Sequence, residues 1–506
     1  MYINNKILVG KNKNDEQSIL LDKLNRHGII TGASGSGKTI TLKVIAESLS
    51  DAGVPVFLAD VKGDIAGTCM PGEMTDKLKE RLESINIKEF PFKGFPIHFW
   101  DVYGKKGHPI RTTVKSVGPV ILSRMLGLTE AQEGVLAIAF KIAEDKDLEL
   151  VDLKDLKILL TYLGEHRKEY ITNYGNIATQ SIGSIQRSLL QLESQGGDFF
   201  FGEPNIDIND FIKINSDGKG YINIMDCVEL FKSPDLYACF LLWILTTLYH
   251  TLPEVGDLDK PKIVFFFDEA HLLFNDMPSY MLKEVTQIVK LIRSKGIGLF
   301  FISQAPTDIP DSISSQLGNR IQHTLRAYTP AEDKIIKAAA SAFRVNPKFN
   351  TEEAIRALGT GEALVSFQNE KGEPSIVEKS TILPPQSNMG TIDDGTRLMV
   401  MNNSLFKGKY DTLIDRESAY EKLSILLEEE NTKQENEKKQ KEEEKLAREQ
   451  QKEEEKLARA KAKEEREKER ERKNSTSYKL GKKVVNKTTD KLLNKALNSI
   501  IKNLFK

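Results

Sequence analysis

The chain has 506 residues, enough for two or three domains or one large core with insertions, and its 40% apolar content is adequate to bury such a core. A formal net charge of −1 hides an asymmetry: Lys433 to Lys506 carry 24 Lys and Arg against 15 Asp and Glu, and the remainder carries 48 against 58. An acidic body with a basic tail excludes a protein coated throughout in nucleic-acid-binding charge, while leaving room for a localised basic channel.

Cys69, Cys227 and Cys239 are too scattered for a zinc site and too few for a disulfide scaffold, which points to reduced thiols in a cytoplasmic protein. No signal peptide is expected at the start of the sequence. The longest apolar run, LYACFLLWILTTLY from Leu236, is too short to span a bilayer and reads as a buried core helix, so a soluble protein is expected.

Residues 1–25 read as a short N-terminal strand segment with two pieces, KILVG and SILLDKL. From His27 the pattern is HGIIT, GASGSGK, TITLKVIAESLSDAG and VPVFLAD: strand, glycine-rich loop, helix, strand. That is one βαβ unit, the entry to a parallel α/β sheet. Residues 67–215 change character and predict a mostly helical insertion, as in VGPVILSRMLGLTEAQEGVLAIAFKIAED and TQSIGSIQRSLLQLESQ. Strand–helix alternation resumes after Gly218 with GYINIM, KIVFFFDEA, GIGLFFISQ, NRIQHTLRA and EALVSF. Residues 26–66 and 216–385 therefore make up the α/β core.

A linker and helix are expected over 386–432, then a charged helix over 433–473. There the near-repeat KEEEKLAREQQ and KEEEKLARAKA places opposite charges at i,i+4. An 11-residue period could supercoil right-handedly. Each repeat offers only a Leu-Ala pair (Leu446-Ala447, Leu457-Ala458), so an isolated helix or spacer is the stronger reading. Residues 474–506 form a basic amphipathic tail. From Lys479 it carries eight Lys and one Asp, with Leu493, Leu497, Ile500, Ile501 and Leu504 at helical spacing. An assembly helix, or one docking a protein partner, is the plain reading; a membrane surface and nucleic acid are the alternatives.

The strongest chemical signal is GASGSGKT: Gly32, Ala33, Ser34, Gly35, Ser36, Gly37, Lys38 and Thr39. It matches GxxxxGK[ST] between an apolar strand and a helix, the context the motif requires. Such a loop turns its N–H groups inward around phosphate oxygens, and the following helix points its positive end at the same charge. Lys38 is expected at the β- and γ-phosphates of ATP, and the Thr39 hydroxyl on Mg²⁺.

KIVFFFDEAH supplies the second half. Five apolar residues ending in Asp268 predict a fully buried central strand. Asp268 is placed to hold the Mg²⁺ shell and Glu269 to take a proton from the attacking water. His271 carries no assigned role. GLFFISQ, the next strand, ends in Ser303 and Gln304, and Gln304 is placed to contact the γ-phosphate or the lytic water. Asp60, Lys62 and Asp64 close VPVFLADVKGD at the same sheet edge. Arg320 is the candidate for an arginine that stabilises transition-state charge from a neighbouring subunit, with Arg326 and Arg344 as rivals.

Taken with PVFLADVKGDIAG, GPVILSRMLGLTEAQEGVL, GGDFFFGEP, LPEVGDLDKPKIVFFFDEAHLLF, LIRSKGIGLFFISQ, QLGNRIQHTLRA and GEALVSF, the sequence resembles the HerA/FtsK superfamily of P-loop DNA translocases. It looks most like the stand-alone bacterial HerA-like branch. The resemblance covers about Gly28 to Pro385. It implies a RecA-like core, a homo-hexameric ring with ATP sites between subunits, and a pore for duplex DNA. It carries the same roles onto Lys38, Thr39, Asp268, Glu269, Gln304 and Arg320. The archaeal members open with a small β-barrel that docks a nuclease; about 25 residues precede the P-loop strand here, so that partnership is not carried over. The letters DEAH also match a helicase superfamily, but 236 residues separate Gly32 from Asp268 and the next strand ends in Ser-Gln, so Ala-His reads as incidental. The competing reading is an ATP-gated remodelling or scaffold ATPase whose tail docks a protein partner or a membrane.

Overall fold

A computed structural model describes residues 1–503 apart from Asn14 and Asp257. Its strands, in chain order, are β1 (Tyr2–Ile3), β2 (Lys6–Asn12), β3 (Asp15–Leu20), β4 (Gly28–Thr31), β5 (Val56–Asp60), β6 (Ile97–Asp101) and β7 (His108–Pro109). They continue with β8 (Ile222–Asp226), β9 (Ile263–Phe267), β10 (Ile297–Ser303), β11 (Asn319–Gln322), β12 (Glu362–Ser366) and β13 (Glu378–Ile382). All join one sheet, in the order β1-β2-β13-β12-β11-β4-β10-β9-β5-β8-β6-β7, with β3 on β2. From β11 to β7 every pairing is parallel; β12, β13, β2, β1 and β3 extend it antiparallel.

The parallel centre is dry because both faces are covered. Every residue of β9, β10 and β5 is buried, which accounts for the unbroken apolar runs IVFFF and IGLFFIS. Leu42, Ile45 and Leu49 of the helix Lys38–Asp51 share one core cluster with Ile30, Val264, Phe266 and Phe300. β4 lies close enough to β10 that a Cβ on Gly28 would meet Phe300 Cε1 at 2.2 Å. The apolar run from Leu236 lies in the helix Pro234–Thr251 and is buried over most of its length.

The stretch 67–215 departs from a helical insertion at β6 and β7, which join the main sheet. Helices Val114–Met125, Glu130–Asp145, Leu153–Tyr174 and Thr179–Ser194 do dominate it. β6, however, pairs with β8 inside the main sheet, with Ile97, Phe99 and Trp100 buried. IHFWD hides this because His98 and Asp101 interrupt the apolar run; Ser404 Oγ lies 3.0 Å from His98 Nδ1, and Asp101 accepts from the Tyr103, Lys105 and Lys106 amides.

Residues 386–418, expected as a linker, pack along the same edge. Phe406 and Tyr410 are buried there, Arg397 stacks over the Phe99 ring at 4.3 Å, and His108 Nδ1 meets Asp411 Oδ1 at 2.8 Å. Few apolar side chains anchor this strap, so its composition resembles a linker's.

The chain divides into two compact units, Met1–Leu423 and Ser424–Lys506. The helix Ala419–Asn474 begins at the end of the first and continues through the second. Within the second unit its residues are mostly exposed, including Leu446 and Leu457, and Lys441–Glu437, Lys468–Glu464 and Lys473–Glu469 pair at i,i+4. A further helix, Thr476–Asn503, leaves Leu480, Val484, Val485, Leu492 and Leu493 exposed. Leu504 lies outside the described residues, as do the side chains of Leu497, Ile500 and Ile501. No helix among the described residues is long and apolar enough to cross a membrane, and no disulfide joins Cys69, Cys227 or Cys239.

Candidate nucleotide site

The site is assembled at the carboxyl ends of β4, β10 and β9, which lie side by side in that order, where open α/β sheets place ligands. β4 delivers the loop. Gly32 has φ +152, and a Cβ there would sit 2.5 Å from His323 Cβ, so the first loop residue has no room for a side chain. Gly37 has φ +116 and caps the helix that starts at Lys38.

The loop is gripped from behind by β11 and β12. Thr31 donates its hydroxyl to Gln322 Oε1 at 2.6 Å, the Ala33 amide donates to Thr324 O at 2.9 Å, and the Gly361 amide donates to Ser36 O at 2.9 Å. His323 stands between them: its Nδ1 lies 2.9 Å from Glu362 O and its Nε2 2.8 Å from Thr41 Oγ1. Burial pushes its pKa down to about 4, so at neutral pH Nδ1–H donates to the carbonyl and Nε2 accepts the Thr41 hydroxyl. Arg81 caps the outside, its guanidinium donating to Gly361 O and Ile382 O.

Inside the loop the Lys38 ammonium donates to the Gly32 and Ala33 carbonyls at 2.6 and 3.2 Å. Burial and then the Lys62 charge lower its pKa; Glu269, Asp268 and Asp308 oppose them, so each of these charges is within electrostatic reach of Lys38. Burial followed by the Glu269 charge raises the half-buried Asp268 to about 7, against its hydrogen bond from the Glu269 amide and the charges of Lys62 and Lys38. The Tyr237 hydroxyl, from the long buried helix, fixes the Asp268 carbonyl at 2.6 Å.

β10 brings the third group. In register, Ser303 lies beside Thr31 of β4 and Phe301 beside Phe267 of β9, so Gln304 leaves the sheet between the loop and the acidic pair. The turn is stapled by Asp308, which accepts from Ser303 Oγ at 2.6 Å and the Ala305 amide at 2.9 Å, and Gln304 is exposed. Ser303 is thus structural. A cleft of about 490 Å³ opens here, lined by Ala33, Ser34, His271, Gln304, Asp308 and Arg326 among others.

The other sequence candidates divide. Asp60 turns back on its own loop, accepting from the Gly63 and Ile65 amides, and only exposed Lys62 of that trio presents charge to the site. Arg320 is not brought to the loop of its own chain. It pairs in register with Ile29, and its guanidinium donates to Ser314 O at 2.6 Å. Arg326 is the candidate arginine on the cleft, and exposed Arg344 lies on a bridge to Ile376. Sequence reasoning missed Gln322, His323, Gly361 and Arg81, whose spacing from the loop carries no signal until the order β12-β11-β4 is known.

The donors suit a phosphate chain with a hard cation. Ser36 Oγ is buried without a hydrogen-bond partner, and so is Glu269 Oε2. Asp268 is a carboxylate that its surroundings leave short of positive charge, beside a loop that ends in the Thr39 hydroxyl. One carboxylate and one hydroxyl are few ligands for a protein-only metal cage, as is usual for Mg²⁺ shared with substrate phosphates.

Known proteins resemble this chain in sequence and in fold. The DNA double-strand break repair helicase HerA of Sulfolobus acidocaldarius is 23% identical over 361 residues, 71% of this chain and 65% of the relative. The HerA of Sulfurisphaera tokodaii is 23% identical over 368 residues, 69% of this chain and 64% of the relative. The chain thus spans just under two thirds of the length of these relatives. Among solved structures, the plasmid coupling protein TrwB superposes with a TM-score of 0.50 at 12% identity. Its complex with the GTP analogue GDPNP covers 76% of this chain and 93% of that one, and its complex with ADP and Mg²⁺ covers 76% and 92%. The chain therefore shares its fold with that coupling protein. The family model for the HerA-like helicase C-terminal region matches residues 5–503, and this chain belongs to that family.

Proposed function

We propose that this protein is a ring-forming ATPase, most simply a homo-hexamer, that couples Mg-ATP hydrolysis to movement along duplex DNA. The observation that carries the reading is the register that sets Gln304 between the Gly32–Thr39 loop and the Asp268–Glu269 pair, with Lys38 in electrostatic reach of both carboxylates. The family and the HerA relatives support DNA as the track.

In this account the loop amides cradle the phosphates, and Lys38 leaves the Gly32 and Ala33 carbonyls to meet the β- and γ-phosphate oxygens. Thr39 and Asp268 would hold Mg²⁺, which would offset the negative charge of the phosphates. Glu269 takes the proton of the attacking water, and Gln304 contacts the γ-phosphate or that water. Arg320, held by Ser314 within its own chain, acts on the nucleotide of a neighbouring subunit. A glutamate rather than a hydroxyl substrate beside the phosphate favours hydrolysis over phosphate transfer.

A second reading is favoured by one observation: beyond Leu423 the described residues of the helix Ala419–Asn474 are mostly exposed, which suits a spacer to a protein partner or a membrane surface on an ATP-gated scaffold. Electron microscopy of the protein with a non-hydrolysable ATP analogue and a DNA duplex separates the two. The motor reading expects a closed ring with duplex in the pore and Arg320 at the neighbour's phosphates; particles without a DNA-filled pore contradict it.

A further inference from the structure

Immediately after β9 the chain does something a strand-end turn does not need. Glu269 takes φ +47, a left-handed value uncommon for a residue with a side chain. The turn directs its carboxylate inward, so that Oε2 is buried without a hydrogen bond. His271, two residues on, starts the short helix His271–Phe274, and its Nδ1 is also buried without a hydrogen bond. These two orphaned atoms face each other at 3.4 Å. Buried polar groups without partners are rare in folded proteins, and two that face each other just beyond the usual 2.7–3.2 Å form an unfinished hydrogen bond rather than two separate defects. Contacts of this kind in active sites tighten when substrate binds.

The surroundings offer no substitute. The Glu269 amide is already committed to Asp268 Oδ1 at 2.9 Å, and His271 is the only side chain paired with the Glu269 carboxylate among the described residues. The imidazole also lines the cleft with Ser34 and Gln304, so it stands at the same site as the groups assigned to the phosphates.

We propose that His271 is a positioning residue for hydrolysis: its Nδ1–H donates to Glu269 Oε2 and fixes the carboxylate so that Oε1 is presented to the attacking water. This rests on the reading of Glu269 as the general base. Held at one oxygen, the carboxylate cannot swing about its terminal torsion, and it keeps one basic oxygen for the water. His271 itself touches no reacting atom.

The geometry names the atom, and the test exploits that. An asparagine amide nitrogen can occupy the place of Nδ1, whereas a glutamine amide reaches toward the place of Nε2. ATP turnover and ATP binding are measured on the full chain for His271→Ala, His271→Asn, His271→Gln, Glu269→Gln and the pair Glu269→Gln with His271→Ala. The expected result is a kcat about tenfold lower in His271→Ala, the low end of general-base effects, with KM for ATP changed less than twofold. His271→Asn recovers most of the rate and His271→Gln does not. The double variant is no slower than Glu269→Gln alone, because a positioning residue has nothing to position once the base is gone. An unchanged kcat in His271→Ala, equal rates for Asn and Gln, or independent losses in the double variant would each overturn the proposal. If His271→Ala fails to bind ATP for want of a folded site, the Asn and Gln pair decides alone. Near-normal turnover in Glu269→Gln, by contrast, removes the base reading on which the proposal stands and is read separately from the His271 rates.

Discussion

His323 and Thr41 are joined across the back of the phosphate loop, ring Nε2 to hydroxyl at 2.8 Å, although 282 residues separate them in the chain. The contact ties the helix that carries Lys38 to the residue that follows β11.

A pH dependence follows from it. Burial holds His323 neutral, with a pKa of about 4 against an ordinary 6.5. The unfolded chain therefore takes up this proton before the fold does, and stability is lost as pH falls from 6.5 toward 4; above 6.5 the contribution is complete. Asp60 and Asp268, raised by burial to about 6 and about 7, act with the opposite sign, since the fold binds their protons more tightly than the unfolded chain does. His323→Gln removes only the histidine's share. Chemical denaturation at pH 7 and pH 5 is expected to show a smaller acid loss in the variant than in the parent, by at most about 2 kcal/mol. Equal losses would mean that His323 is not held neutral.

Glu269→Gln is expected to bind ATP and to hydrolyse it at least tenfold more slowly, since it keeps shape while losing basicity. Lys38→Ala is expected to lose nucleotide binding itself. Equilibrium binding of a fluorescent ATP analogue, read beside turnover, distinguishes the two defects. Unchanged affinity in Lys38→Ala would contradict the phosphate cradle.

Gly28→Ala tests the packing under the loop. The new methyl would meet the Phe300 ring at 2.2 Å, a separation no real contact tolerates, between two strands that are both fully buried. Overpacking of this kind costs about 1–3 kcal/mol. Thermal melts should show that loss, and Phe300→Leu in the same chain should recover part of it.

The loop, β9 and the tip of β10 were legible in the sequence because each is a local pattern: glycine spacing, an apolar run, a polar residue after one. β6 was not, since His98 and Asp101 interrupt the apolar run of a buried strand within a stretch that reads as mostly helical. Nor was the strap at 386–418, whose hold rests on Phe406 and Tyr410 among many polar residues. The grip on the loop by Gln322, His323 and Gly361 depends on strand order, which no local pattern encodes. His271 looked incidental because its meaning lies in one distance to Glu269, and the sequence could not say that Ser314 holds the Arg320 guanidinium within its own chain.

Deleting residues 433–506 separates the motor from its appendages. The first compact unit ends at Leu423, ahead of the cut, so the site should survive. Truncated protein is expected to keep ATP turnover and its response to DNA while losing any partner or surface attachment. Loss of DNA-stimulated turnover would place the basic tail in the motor itself.

The most direct test of the central claim is steady-state ATP turnover with and without duplex DNA, with Glu269→Gln as the control for contaminating activity. The account predicts that duplex DNA raises turnover several-fold in the parent and not in the variant. Turnover that is abolished by Glu269→Gln yet indifferent to every nucleic acid would leave an ATPase of this family without DNA as its track.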